Sequence, residues 1–177
     1  MTEIVFETHA TSEHNEAGVA AGWLHGCLSP LGRRQALELG ERRRGGGFAA
    51  VFSSDLRRAV QTARIAVGDA GTPILLDWRL RECDYGELSG APREVVHRDR
   101  LRYLDAAYPG GESWRAAVDR VGRFVDDLPP RWSGERILVI GHIATRWGFE
   151  HRLNGVTLEQ LAVERWAWQP GWRYQLP

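Results

Sequence analysis

The chain has 177 residues, 43% hydrophobic and 26% charged, which suits one ordinary domain and excludes a disordered chain or a fibrous repeat. Its 23 basic and 23 acidic residues cancel, which argues against a general nucleic-acid binder. No apolar run reaches the length of a membrane span, and Met1-Thr2-Glu3-Ile4-Val5-Phe6 lacks the basic opening of a signal peptide, so a cytoplasmic protein with no membrane attachment is expected. In chain order, residues 3–7 read as a short apolar strand. Leu31 to Arg44 reads as a helix, with Ser29 as its cap, Pro30 at the first helical position and Gly45-Gly46-Gly47 as its stop. Phe48 to Phe52 reads as a second strand, and Asp55 as the cap of a helix from Leu56 to about Val67. A third strand covers Pro73 to Leu76. Two helices, 93–107 and 113–128, flank the turn Pro109-Gly110-Gly111. Arg136 to Ile140 is the most apolar strand, followed by a helix to about Leu153. Glu164 to Tyr174 alternates around Pro170-Gly171 and predicts a terminal hairpin packed by Trp166, Trp168 and Trp172. Alternation of strands and helices over residues 1–177 predicts a single α/β domain: a three-layer sandwich, mostly parallel, with helices on both faces of the sheet.

In such sheets the chemistry gathers beyond the carboxyl ends of the strands. The first strand is followed by Thr8-His9-Ala10-Thr11-Ser12-Glu13-His14-Asn15. The second is followed by Ser53-Ser54-Asp55-Leu56-Arg57-Arg58. Arg79-Leu80-Arg81-Glu82 comes shortly after the third, and Gly141-His142 after the fourth. Parallel strands would bring two histidines, an arginine and a carboxylate to one rim. Those groups suit phosphoryl transfer. A neutral imidazole can attack phosphorus if an acceptor holds its other ring nitrogen. Cationic donors surround the phosphoryl oxygens, and an acid protonates the leaving alkoxide. His9, Arg58 with His142, and Glu82 fill these roles in turn.

Six segments in order resemble the histidine phosphatase superfamily, the phosphoglycerate-mutase-like proteins. The segment from Thr8 to Asn15 is similar to the Arg-His-Gly-Glu-Thr-x-x-Asn opening of that family. Leu28-Ser29-Pro30-Leu31-Gly32-Arg33-Arg34-Gln35-Ala36 and Ser53-Ser54-Asp55-Leu56-Arg57-Arg58-Ala59-Val60-Gln61-Thr62-Ala63 resemble its next two segments. Leu80 to Gly90, Pro109-Gly110-Gly111-Glu112-Ser113 and Val139-Ile140-Gly141-His142 complete the set, from residue 4 to about 150. The resemblance implies a phosphohistidine at His9, phosphate contacts from Asn15, Arg58 and His142, Glu82 as proton donor and then base, and neither metal nor other cofactor. It implies a small phosphorylated molecule as the partner.

The chain departs from the pattern at two places. Thr8 stands where the family has arginine, and Ala10 where it has glycine. Loss of such a charged contact is worth about 2–4 kcal/mol in a transition state. Thr8 offers only a hydroxyl, so another arginine is expected to compensate, with Arg81 and Arg146 nearest in sequence. A phosphatase is the leading reading, because the stretch between Glu82 and Pro109 is short and leaves little chain for a lid. The alternatives are a mutase-like phosphotransferase, or a phosphoanion-binding member with little or no turnover.

Other features read more simply. Arg42-Arg43-Arg44 suits a solvated helix end, where cations face the negative end of the dipole. Trp23 serves either as a platform for a ring of the substrate or as cover for the core. His14, His25, His97 and His151 lack support from any segment. Cys27 and Cys83 make neither a disulfide framework nor a zinc site, and free thiols are expected. The sequence contains no lysine. Any anion site must therefore use arginine, histidine or backbone N–H groups.

Overall fold

The computed structural model describes residues 1–68 and 71–176. Its elements in chain order are β1 (Thr2–Thr8), α1 (Glu13–Glu16), α2 (Pro30–Arg43), β2 (Ala50–Ser53), α3 (Arg57–Val67) and β3 (Ile74–Leu76). They continue with α4 (Arg93–Arg98), α5 (Trp114–Asp126), α6 (Pro129–Trp132), β4 (Arg136–Gly141), α7 (Ile143–Asn154), α8 (Leu158–Val163) and β5 (Trp172–Leu176). Short 3₁₀ turns at Trp78–Leu80, Gly86–Leu88 and Arg100–Tyr103 fill the connections between β3 and α5.

The strands form one sheet in the order β3-β2-β4-β1-β5, with β5 antiparallel to β1 and the other pairs parallel. Alternation along β1 sorts its side chains to two faces. Ile4 and Phe6 join Phe52, Val139, Val121, Phe124 and Phe149 in a core beneath α5 and α7. Val5 joins Val51, Leu138, Leu39, Ala59 and Ala63 in a second core beneath α2 and α3. The result is the expected three-layer sandwich with a mostly parallel sheet. Helices α5 and α7 approach closely because Gly148 lacks a side chain; a Cβ there would lie 2.3 Å from Val121 Cβ. Gly32 of α2 does the same against the loop after β1, where a Cβ would fall 1.9 Å from the carbonyl oxygen of Thr11.

Several local expectations need correction. Helix α3 starts at Arg57 without a side-chain cap, because Asp55 instead accepts both forks of Arg81 at 2.7 and 2.5 Å. The helix expected over 93–107 ends at Arg98 and resumes only as a 3₁₀ turn. The terminal hairpin does not form: β5 begins at Trp172 and pairs with β1, while Trp166 and Trp168 stay substantially exposed. Helix α8, announced by a reciprocal cap between Thr157 and Gln160, occupies part of the stretch before it. The run Arg42-Arg43-Arg44 is more than a solvated helix end. Arg42 and Arg43 pair with Glu7, a nearly inaccessible carboxylate that β1 directs toward α2.

Candidate active site

The parallel strands deliver their following residues to one edge. His9 donates its backbone N–H to the carbonyl of Gly141 at 2.9 Å, and Ser54 does the same to Ile140 at 3.2 Å. The loop behind His9 is fixed by residues from the expected segments. Ala10 N–H donates to Thr62 Oγ1 at 3.1 Å, and Thr11 N–H to Gln35 Oε1 at 3.0 Å. Ser29 caps α2 and also donates through its N–H to Thr11 O. The segments around Gln35 and Thr62 therefore hold the backbone on either side of the histidine.

His9 is held in one tautomer. Its Nδ1 lies 2.7 Å from Ala10 O, and its Nε2 lies 3.2 Å from Arg58 Nε. Arginine can only donate, so Nε2 is the acceptor and Nδ1 carries the proton. Burial, reinforced by the positive Arg58, lowers the His9 pKa to about 3. The imidazole is thus neutral, and its Nε2 lone pair accepts from Arg58. His142 sits with its ring centroid 4.9 Å from that of His9. Its Nδ1 faces Arg58 Nη2 at 3.4 Å and its Nε2 faces Ser54 Oγ at 2.7 Å. Burial and the same Arg58 charge keep it well below the usual histidine range. Arg58 itself is 2% exposed and is further held by the carbonyls of Gly22 and Leu24 at 2.8 and 3.2 Å.

Glu82 reaches the same place from behind the third strand. Its Oε1 accepts from the N–H groups of Cys83 at 2.9 Å and Ala144 at 3.1 Å; its Oε2 accepts from Ile143 at 3.3 Å. The carboxylate therefore faces the positive end of α7. Its backbone is tied down by Arg120, a nearly inaccessible residue of α5. Arg120 donates to the carbonyls of Arg79, Arg81 and Glu82 at 2.7, 2.8 and 2.8 Å, and to Glu112 of the Pro-Gly-Gly-Glu-Ser turn at 2.5 Å. Trp23 donates its indole N–H to Glu82 O at 2.6 Å and lies beneath Arg81 at 4.6 Å. It braces the segment and does not line the cavity, so the platform reading falls.

The cavity above these groups has a volume of about 680 Å³. His9, Thr8, Asn15, Arg58, Glu82 and His142 all line it, so every sequence-selected site residue meets there. Asn15 Oδ1 is committed to Ser12 N–H and Oγ, both at 2.9 Å, which leaves its amide N–H₂ to donate. Of the two compensating candidates, Arg146 lines the cavity, whereas Arg81 is held away by Asp55. Sequence reasoning missed Ser54, although it lies in a matched segment. It also passed over Arg93, His97 and Arg100, which line the same cavity. Arg93 and His97 stand four apart on one face of α4, and Arg100 opens the 3₁₀ turn that follows. Partial burial and the adjacent Arg100 and Arg93 lower the His97 pKa to about 4. Among the residues lining the cavity are five arginines and two glutamates, so it favours anions.

The two site histidines set an acid limit on stability. Their folded-state pKa values lie below the unfolded value near 6.5, so the unfolded chain takes up protons that the folded site refuses. Stability is complete above about pH 6.5 and falls as the pH drops toward His9's folded value. Each group contributes a slope of up to about 1.4 kcal/mol per pH unit. Thermal melts should show a plateau from pH 8 to 7 and a falling melting temperature between pH 6.5 and 4.5. A flat profile across that window would mean that the two imidazoles are not held neutral.

The family model for the histidine phosphatase superfamily (branch 1) matches residues 4–168. The chain belongs to that superfamily. A 2,3-bisphosphoglycerate-dependent phosphoglycerate mutase of Methylobacterium sp. (strain 4-46) is 33% identical over 184 residues, covering 94% of this chain and 88% of that protein. Bacillus stearothermophilus YhfR shares the fold, with a TM-score of 0.85 at 24% identity over 96% of this chain and 88% of its own. A mycobacterial glucosyl-3-phosphoglycerate phosphatase solved with VO3 superposes with a TM-score of 0.77 at 27% identity, over 90% of this chain and 85% of its own. Superfamily relatives therefore include both a mutase and a phosphatase. Among the described residues no helix is long and apolar enough to cross a membrane.

Proposed function

We propose that this protein is a metal-independent phosphatase that hydrolyses a small phosphomonoester through a phosphohistidine at His9. The observation that carries the reading is the fixed tautomer of His9, with Nδ1 tied to Ala10 O and the unprotonated Nε2 accepting from Arg58 in a cavity lined by arginines. In the first step Nε2 attacks phosphorus and the ester P–O bond breaks. Glu82 enters this step protonated and passes its proton to the departing alkoxide. In the second step the Glu82 carboxylate takes a proton from water as it attacks phosphorus. The P–N bond breaks, His9 regains its lone pair, and inorganic phosphate leaves. Arg58, Asn15 and Thr8 donate to the phosphoryl oxygens. Burial and the Arg58 charge hold His142 neutral; a phosphoryl dianion beside it favours its protonated, donating form.

The mutase reading is favoured by the curated relatives, of which the Methylobacterium enzyme is one. The two readings differ in the acceptor of the phosphoryl group: water in one, a sugar-acid hydroxyl in the other. A panel of phosphorylated metabolites, assayed for phosphate release with and without chelator, separates them. Release that survives chelator is the expected result. Transfer between phosphoglycerates without net phosphate release would establish the mutase instead, and loss of release on chelation would end the metal-independent mechanism.

A further inference from the structure

Two side-chain contacts set the ring of His142. The residue is 1% exposed and directly precedes α7. Its backbone N–H donates to Thr145 Oγ1 at 3.0 Å, and its carbonyl accepts from Arg146 N–H at 3.1 Å. Those bonds fix the main chain and leave the ring free to turn about its side-chain torsions. Ser54 Oγ, 2.7 Å from Nε2, and Arg58 Nη2, 3.4 Å from Nδ1, hold it from either side.

Strand pairing brings Ser54 there. β2 and β4 run parallel with Ser53 opposite Ile140, and Ser54 N–H extends the ladder by donating to Ile140 O at 3.2 Å. Ser54 is fully buried, and among the described residues its hydroxyl has no hydrogen-bond partner besides His142 Nε2. Alanine would fill nearly the same space, so the hydroxyl's own contribution is that one contact.

Arg58 decides the direction of the bond. A guanidinium has no acceptor, so its N–H beside Nδ1 meets a lone pair there. The neutral imidazole then carries its proton on Nε2 and donates it to Ser54 Oγ. The other tautomer would set Nδ1–H against an Arg58 N–H, two donors facing each other. His9 shows the converse arrangement, with its proton on Nδ1 and its lone pair on Nε2, so one guanidinium donates to both imidazoles. An entering phosphoryl group needs donors, and a lone pair on His142 is none. Nδ1 becomes a donor by taking up a proton from solvent, which it returns when phosphate leaves. Arg58, Arg120 and His9 all oppose a charge on this ring, and Glu82 enters the first step protonated, so the phosphoryl dianion is the group that favours it. Nε2–H keeps its bond to Ser54 throughout, and that bond strengthens when the ring is charged.

We infer that Ser54 is the positioning residue of His142: by accepting from Nε2 it reserves Nδ1 as the atom that takes up a proton and donates to the phosphoryl group. The assignment deepens the phosphatase reading and rests on it.

The test reads the ring directly, by nitrogen NMR of protein labelled at histidine, with the His142 signals identified as those missing from His142→Gln. In the empty wild type Nε2 carries a proton and Nδ1 does not; with vanadate bound, both do. Ser54→Ala, shown folded by its melting curve, loses the single tautomer and binds vanadate about three- to thirtyfold more weakly. Its binding also fails at a lower pH as the pH is raised, because its imidazolium is less well held. Ser54→Thr, which keeps the hydroxyl, returns the Nε2 tautomer and part of the affinity. Wild type protonated on Nδ1 in the empty site overturns the inference without any variant. So does a folded Ser54→Ala with wild-type tautomer and affinity. Wild type that neither binds vanadate nor forms a phosphoenzyme brings down the phosphatase reading itself. Wild type that does both, with Nδ1 protonated before the ligand arrives, brings down Ser54 alone.

Discussion

His9→Ala removes turnover altogether. The variant keeps Arg58, His142 and Glu82, so it still binds phosphate, but no atom is left in place to attack phosphorus. A loss of at least about four powers of ten is expected, the scale on which removal of a covalent nucleophile is felt. The same variant separates the covalent route from direct attack by water. Wild type quenched during turnover of a labelled substrate carries label that is stable in base and released in acid, the behaviour of a P–N bond. His9→Ala carries none. The fixed tautomer makes the choice of atom equally definite: Nδ1–H is engaged with Ala10 O at 2.7 Å, so the phosphoryl group resides on Nε2. A variant that keeps full activity, or label that survives acid, would remove His9 from the chemistry.

Glu82→Gln divides substrates by their leaving groups. The amide still accepts backbone hydrogen bonds through its oxygen, so the loop keeps its course, but it neither gives nor takes a proton. Alkyl phosphates depend on protonation of the departing oxygen and should lose about two to four powers of ten in kcat/KM. p-Nitrophenyl phosphate leaves as a stabilised phenolate and should lose about tenfold or less in the same ratio. Its kcat falls further, because the second step still lacks a base for water. The expected signature is therefore a burst of p-nitrophenol, one equivalent per site, followed by slow turnover. Equal losses on both substrates, with no burst, would take Glu82 out of the acid role.

The parts of this fold that the sequence made legible are those governed by local rules. Ser29-Pro30 starts a helix because a cap and a preset φ act within a few residues. Residues 137–140 are apolar on both sides because the strand is covered on both faces, and their pattern declares it. Three of the errors share a cause of another kind. Asp55 has the form of a cap but binds Arg81, twenty-six positions away. The alternation before Tyr174 suggested a local partner for a strand whose partner is β1. The arginines ending α2 gave no sign that Glu7 waits beneath them. In each case a long-range pairing outcompetes the local one, and nothing in a short window records it. The meeting of the candidate site residues at one cavity was legible, because they lie in ordered segments at strand ends. The exceptions, Arg93, His97 and Arg100, line the cavity from a connection whose course only the folded chain reveals.

Arg120 changes how damage to this protein will be distributed. It touches no part of the cavity, yet it holds the carbonyls on both sides of Arg81 and the carboxylate of Glu112 in one knot. The position of the proposed acid is thus written in α5, thirty-eight residues downstream of Glu82. Lysine is no substitute, since three donors on a point charge cannot span acceptors arranged around a planar fork. Random substitutions that silence the protein while leaving it folded will therefore cluster in two regions, the rim itself and the buried face of one distant helix. A map of inactivating mutations would show the second cluster as a shadow of the first, cast through the protein by a single guanidinium.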